Sequence, residues 1–140
     1  DVIPWNENED EDIIIDENKY VSISRRKANL FRTANTYDDI SFSTNYAKEN
    51  IMLGDSWETL QKITQVTLYD DDQNELCKVY LSNLNGRLNF RFIASRNYDA
   101  SSTSETTLYV RIGRINFTIR IKQHDMDKSD WENGGEIVWG

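Results

Sequence analysis

The sequence predicts an all-β fold, an antiparallel sandwich of about seven short strands, on three observations. Apolar residues alternate with polar ones in short runs, turn signals recur at intervals of roughly 8–12 residues, and no segment sustains a 3.6-residue period. The clearest run is 106–123. Leu108, Val110 and Ile112 alternate with Tyr109 and Arg111, Gly113-Arg114 intervenes, and Ile115, Phe117, Ile119 and Ile121 alternate with polar residues. A two-residue loop with glycine first is the type II′ signal, because glycine tolerates a positive φ there. Such a loop opposes Ile112 to Ile115, Val110 to Phe117 and Leu108 to Ile119, all on one face, and a one-residue slip would break the agreement.

The other elements follow in order. Residues 1–16 form an acidic lead-in, in which repulsion among the carboxylates of 7–12 favours an extended, solvated chain. A strand is expected at 20–24, with Val21 and Ile23 on one side, and another at 39–44, with Ile40 and Phe42. The stretch between them is polar, with Leu30-Phe31 as its core contact, and 46–53 reads as strand or loop. Ser56 is placed to cap a short helical turn over 56–60. Strands at 63–69 and 76–81 flank the acidic loop 70–75, and a turn at 83–86 leads to Leu88, Phe90 and Phe92. Residues 97–105 form a polar loop before the final hairpin. The resulting division is a lead-in at 1–16, a sandwich at 17–125 and a tail at 126–140 carrying a short strand.

At 140 residues the chain can bury one core. Its net charge of −8 argues against nucleic acid and against anionic membrane surfaces, and no apolar run is long enough to insert into a membrane. The lone Cys77 cannot form an internal disulfide and reads as a buried, inert thiol. The absence of a starting Met and of a signal-like segment suggests a piece of something longer.

The segments YVSISRRKANLF, YDDISFSTN and TTLYVRIGRINFTIRIKQ resemble, in strand order, BACON-type immunoglobulin-like domains of Bacteroidetes surface proteins. The closing WENGGEIVW is similar to the tail of fimbrial subunits from the same bacteria. In place of the family's Trp-rich middle segment there is only Trp57. The resemblance implies an immunoglobulin-like sandwich, exported to the cell surface, with a structural or adhesive role.

Candidate site residues are few. Trp57 and Trp139 are candidate ligand-binding residues, because a flat ring matches the apolar face of a sugar; the other reading is that they pack a tail or cap the core. Asp70, Asp72 and Asn74 have the spacing that opens a calcium loop, but Glu75 stands where glycine is needed and Leu81 where a bidentate Glu is needed. That excludes an EF-hand and leaves either a surface calcium site or a solvated hairpin tip. His124 has no Cys or His partner for zinc and is expected at the surface; Asn116, in a glycosylation-like Asn-Phe-Thr, is expected to face solvent. There is no serine elbow, no phosphate loop and no distinguished carboxylate pair, so the sequence points away from an enzyme and requires no cofactor. The expected partners are neighbouring domains or subunits, reached through strand-forming tails at 12–15 and 136–139 that pair in cis or in trans, with glycans as the alternative.

Overall fold

A computed structural model describes residues 18–132 in full and Ile13 and Ile14 by their backbone. Among the described residues, ten strands form two packed sheets, so the all-β sandwich is the observed fold. In chain order these are β1 (Ile13–Ile14), β2 (Tyr20–Ile23), β3 (Lys27–Leu30), β4 (Tyr37–Thr44), β5 (Ile51–Gly54), β6 (Gln65–Tyr69), β7 (Glu75–Leu84), β8 (Arg87–Ala94), β9 (Ser104–Ile112) and β10 (Ile115–Gln123). A 3-10 turn, Lys48–Asn50, precedes β5, and a short helix α1, Lys128–Glu132, follows β10. The larger sheet has the order β1-β2-β4-β8-β7-β6 and the smaller β3-β10-β9-β5.

The β9/β10 hairpin has the register that alternation requires: Ile112 opposite Ile115, Val110 opposite Phe117, Leu108 opposite Ile119. Gly113 has φ +60, as the first position of its turn demands. At the β7/β8 turn both Asn85 (φ 53) and Gly86 (φ 83) are left-handed, the type I′ arrangement that matches strand twist. The inward faces of the two sheets meet in one core that includes Val21, Ile40, Phe42, Val79, Phe90, Phe92, Val110 and Phe117, with Phe42 and Phe90 stacked at 4.6 Å.

Four expectations need correction. The strand count exceeds seven because the strand-forming tail at 12–15 contributes β1, the stretch read as strand or loop at 46–53 contributes β5, and β3 is a short element disguised by its polar context. The sandwich is not wholly antiparallel: β3 runs parallel to β10, with Ala28 opposite Ile121 and Leu30 opposite Gln123. Residues 24–26 carry the chain from one sheet to the other, and Arg25 fixes the crossing. Its guanidinium donates to both oxygens of Asp38 at 2.7 and 2.9 Å and to the carbonyls of Lys27 and Asp39. Residues 56–60 form a turn, not a helix: the Thr59 N–H donates to the Ser56 carbonyl, and the Ser56 hydroxyl meets the Thr59 hydroxyl rather than capping a helix. Asn116 is only 4% exposed, because Arg111 opposite it lies across it and donates to its carbonyl oxygen at 2.7 Å.

Of the tails, Ile13–Ile14 pairs in cis with Val21 and Tyr20 at the edge of the larger sheet. The expected strand at 136–139 lies outside the described residues.

Candidate functional site

The acidic loop after β6 is organised from within. The Asp70 Oδ1 accepts the N–H groups of Asp72 and Asn74, each at 2.9 Å, and Oδ2 accepts Arg96 at 2.7 Å. Burial alone would raise this carboxyl; the bonds from Asn74, Arg96 and Asp72 outweigh it and hold its pKa below the ordinary value. Asp70, the leading residue of the candidate calcium set, thus spends both carboxylate oxygens on bonds within the protein, two of them to the backbone N–H groups of Asp72 and Asn74. Among the described residues no group of three or more His, Cys, Asp or Glu side chains is placed to hold a metal ion.

Arg96 joins that loop to the core. Its Nε donates to Gln123 Oε1 at 3.1 Å and a terminal nitrogen donates to Ser104 Oγ at 3.0 Å, while the guanidinium lies over the Tyr98 ring. Gln123 is fully buried, and its Nε2 donates to the carbonyls of Phe31 (2.9 Å) and Arg96 (3.1 Å). One side chain thus ties two connecting segments to the end of β10, and Arg96 links the acidic loop to them. The sequence held a signal for it: Gln123 continues the inward set of Ile115, Phe117, Ile119 and Ile121, so its amide had to find partners inside.

His124 is buried, 1% exposed, and not at the surface as expected. The cause is α1, which brings Trp131 parallel to the imidazole at 6.0 Å, while Phe31 lies 5.5 Å away. Its Nε2 is 2.9 Å from Asn29 Oδ1. Burial, with help from Lys122 and against Asp125, lowers its pKa to about 4. Because the folded value is the lower one, the unfolded chain binds more protons between the two values. The contribution of neutral His124 is therefore complete above the ordinary histidine range and is lost as pH falls toward 4. Chemical denaturation across pH should show a loss of up to about 3 kcal/mol from this residue. His124→Gln, which cannot titrate, should flatten that part of the profile.

On the outer face of the larger sheet, Asp39 accepts two bonds of 2.8 Å from Arg91 and one from Asn89. The Arg91 bond, opposed by burial and aided by Asn89, holds its carboxyl below the usual range. Cys77 is buried and its thiol is pushed up to about 12, chiefly by burial, so it stays protonated.

Trp57 is 38% exposed and packs edge-on against Tyr109, ring centres 4.6 Å apart. Its loop is held by the Leu53·Gln61 pair of backbone bonds and by the Thr59 hydroxyl donating to Asp55. Gly54 is required where that loop folds back, since a Cβ there would lie 2.8 Å from the Thr59 carbonyl oxygen. Trp139 lies outside the described residues, so Trp57 is the member of the expected pair that can be placed. Tyr109 also lines an open groove of about 510 Å³ together with Asp55, Tyr69, Asp71, Gln73 and Glu105. Tyr69 and Tyr109 escaped the sequence reading because each looks like an ordinary outward residue of an alternating strand.

No protein-family model, curated protein or solved structure matches the chain.

Proposed function

We propose that this domain is a non-catalytic, immunoglobulin-like structural module of an exported bacterial surface or fimbrial protein, serving as a load-bearing spacer or adhesion domain. One observation carries the reading: the parallel pairing of β3 with β10. The chain passes into β2 beside Asn45, whose side chain accepts the Tyr20 N–H, and leaves β10 at the opposite end, where the His124 N–H donates to the Leu30 carbonyl. Tension along the chain pulls β2–β3 and β10 in opposite directions, so the hydrogen bonds between β3 and β10 are loaded together in shear rather than one by one. A spacer needs that geometry.

The polar groups support the same reading. Asp70, Arg96, Gln123 and Asp39 are occupied in holding segments together. The immunoglobulin-like assignment is supported by the crossing between sheets from β2 to β3 and by a final strand, β10, that is internal to the smaller sheet. Export and the fimbrial setting rest on the resemblance of the strand segments and the WENGGEIVW tail. The alternative, a carbohydrate-binding module, is favoured by the exposed Trp57.

Single-molecule pulling tests the load path. Handles at Lys19→Cys and Asp125→Cys load opposite ends, and handles at Lys19→Cys and Arg114→Cys load one end, where Tyr46 contacts Gly113. The opposite-end geometry is expected to resist the higher force.

A further inference from the structure

Among the described residues four large apolar side chains stand well exposed, Tyr37, Trp57, Tyr69 and Leu84; Tyr69 lines one groove with Tyr109, and Trp57 packs against that same Tyr109. The groove exists because the strands of the two sheets are unequal in length. β5 stops at Gly54, opposite Tyr109, whereas β9 continues back to Ser104, so no strand of the smaller sheet flanks Ser104–Leu108 on that side. The gap between this length of β9 and β6 of the larger sheet is the groove, lined from one side by Tyr69 and from the other by Glu105 and Tyr109.

Its rings are held in place before any ligand arrives. The Thr106 hydroxyl donates to the Tyr69 carbonyl at 2.9 Å, and the next residue, Asp70, is locked by Arg96 and its own loop. Trp57 rests on Tyr109 and rides on a loop closed at its base by the Leu53·Gln61 bonds. Exposed aromatic rings on pinned segments bind with little loss of side-chain freedom. Around them stand planar acceptors, the carboxylates of Asp55, Asp71 and Glu105 and the amide of Gln73.

We propose that this groove is a binding site for a neutral saccharide, with Trp57 and Tyr69 as stacking surfaces and Asp55, Asp71, Gln73 and Glu105 as partners for its hydroxyl groups. A sugar ring offers an apolar C–H face to an aromatic ring and a rim of O–H donors to carboxylates and amides. Charge-assisted bonds to the carboxylates strengthen the contact, and the same carboxylates repel uronic acids and sulfated sugars. The site does not depend on the load-bearing role, so either reading can fail without the other.

Affinity gel electrophoresis of the whole chain against xyloglucan, galactomannan and starch, with polygalacturonate as the acidic comparison and polylysine as a cationic one, tests the site. Retardation is expected on at least one neutral polysaccharide and not on polygalacturonate. Trp57→Ala and Tyr69→Ala should each weaken it by about tenfold or more, as expected for central aromatic contacts. Tyr37→Ala, which removes a still more exposed ring elsewhere, should leave it unchanged. Unaltered thermal unfolding of the variants would show that the loss is local. Absence of retardation on every neutral polysaccharide, equal retardation of the Trp57 and Tyr69 variants and the parent, or binding of polylysine alone would overturn the proposal.

Discussion

Replacing Gly113 with alanine is expected to destabilise the domain by about 2 to 4 kcal/mol, the sum of a left-handed backbone and a steric clash. Gly113 has φ +60, and a Cβ built on it would lie 2.0 Å from Cε1 of Tyr46 and 2.4 Å from Cδ1. Tyr46 packs against the core, so its ring cannot move away without opening a gap. The matched control is Gly86→Ala. Gly86 has φ +83 but nothing within 4 Å of the added Cβ, so it carries the backbone cost alone, about 1 to 2 kcal/mol. Urea unfolding of the two variants separates the contributions, and equal losses would show that the Tyr46 contact does not constrain the turn.

Gln123→Leu should be at least as damaging, about 3 to 5 kcal/mol, although it preserves side-chain volume. The substitution removes the donor serving the Phe31 and Arg96 carbonyls and the acceptor of the Arg96 Nε–H. All three groups sit around a side chain with no exposure to solvent, so water cannot take its place without opening the end of the sandwich. Arg96→Ala breaks the same network from the other side and also frees Asp70. Because the two residues share partners, the double variant should lose clearly less than the sum of the single losses. Strict additivity would mean that they do not act as a unit.

These two positions also show what the sequence could and could not reveal. Gly113 was legible because the hairpin is local: alternation on both sides and a Gly-X loop specify register, face and turn from eighteen consecutive residues. The parallel β3/β10 pair was not legible, because Lys27–Leu30 meets Arg120–Gln123 across most of the chain and contains only two apolar residues to mark it. Asn116 and His124 were misplaced for one physical reason. A place outside the inward apolar set, on β10 for Asn116 and just beyond it for His124, was equated with solvent, whereas Arg111 covers one and Trp131 the other. Gln123 was readable in principle from its inward parity. Of the candidate site, Trp57 stood out as a rare residue in a turn-rich segment. Tyr69 and Tyr109 could not, since their groove arises from the mismatch in length between β5 and β9, and no single stretch of chain encodes it.

The measurement that bears most directly on the load-bearing role is the direction dependence of mechanical unfolding. Pulled between residues 19 and 125, the domain should unfold in one step at a force well above that found between residues 19 and 114. Ala28→Pro, which removes a donor from the parallel ladder, should abolish most of the difference. Equal forces in the two directions would contradict the account, because they would mean that the β3/β10 pair carries no special share of the load.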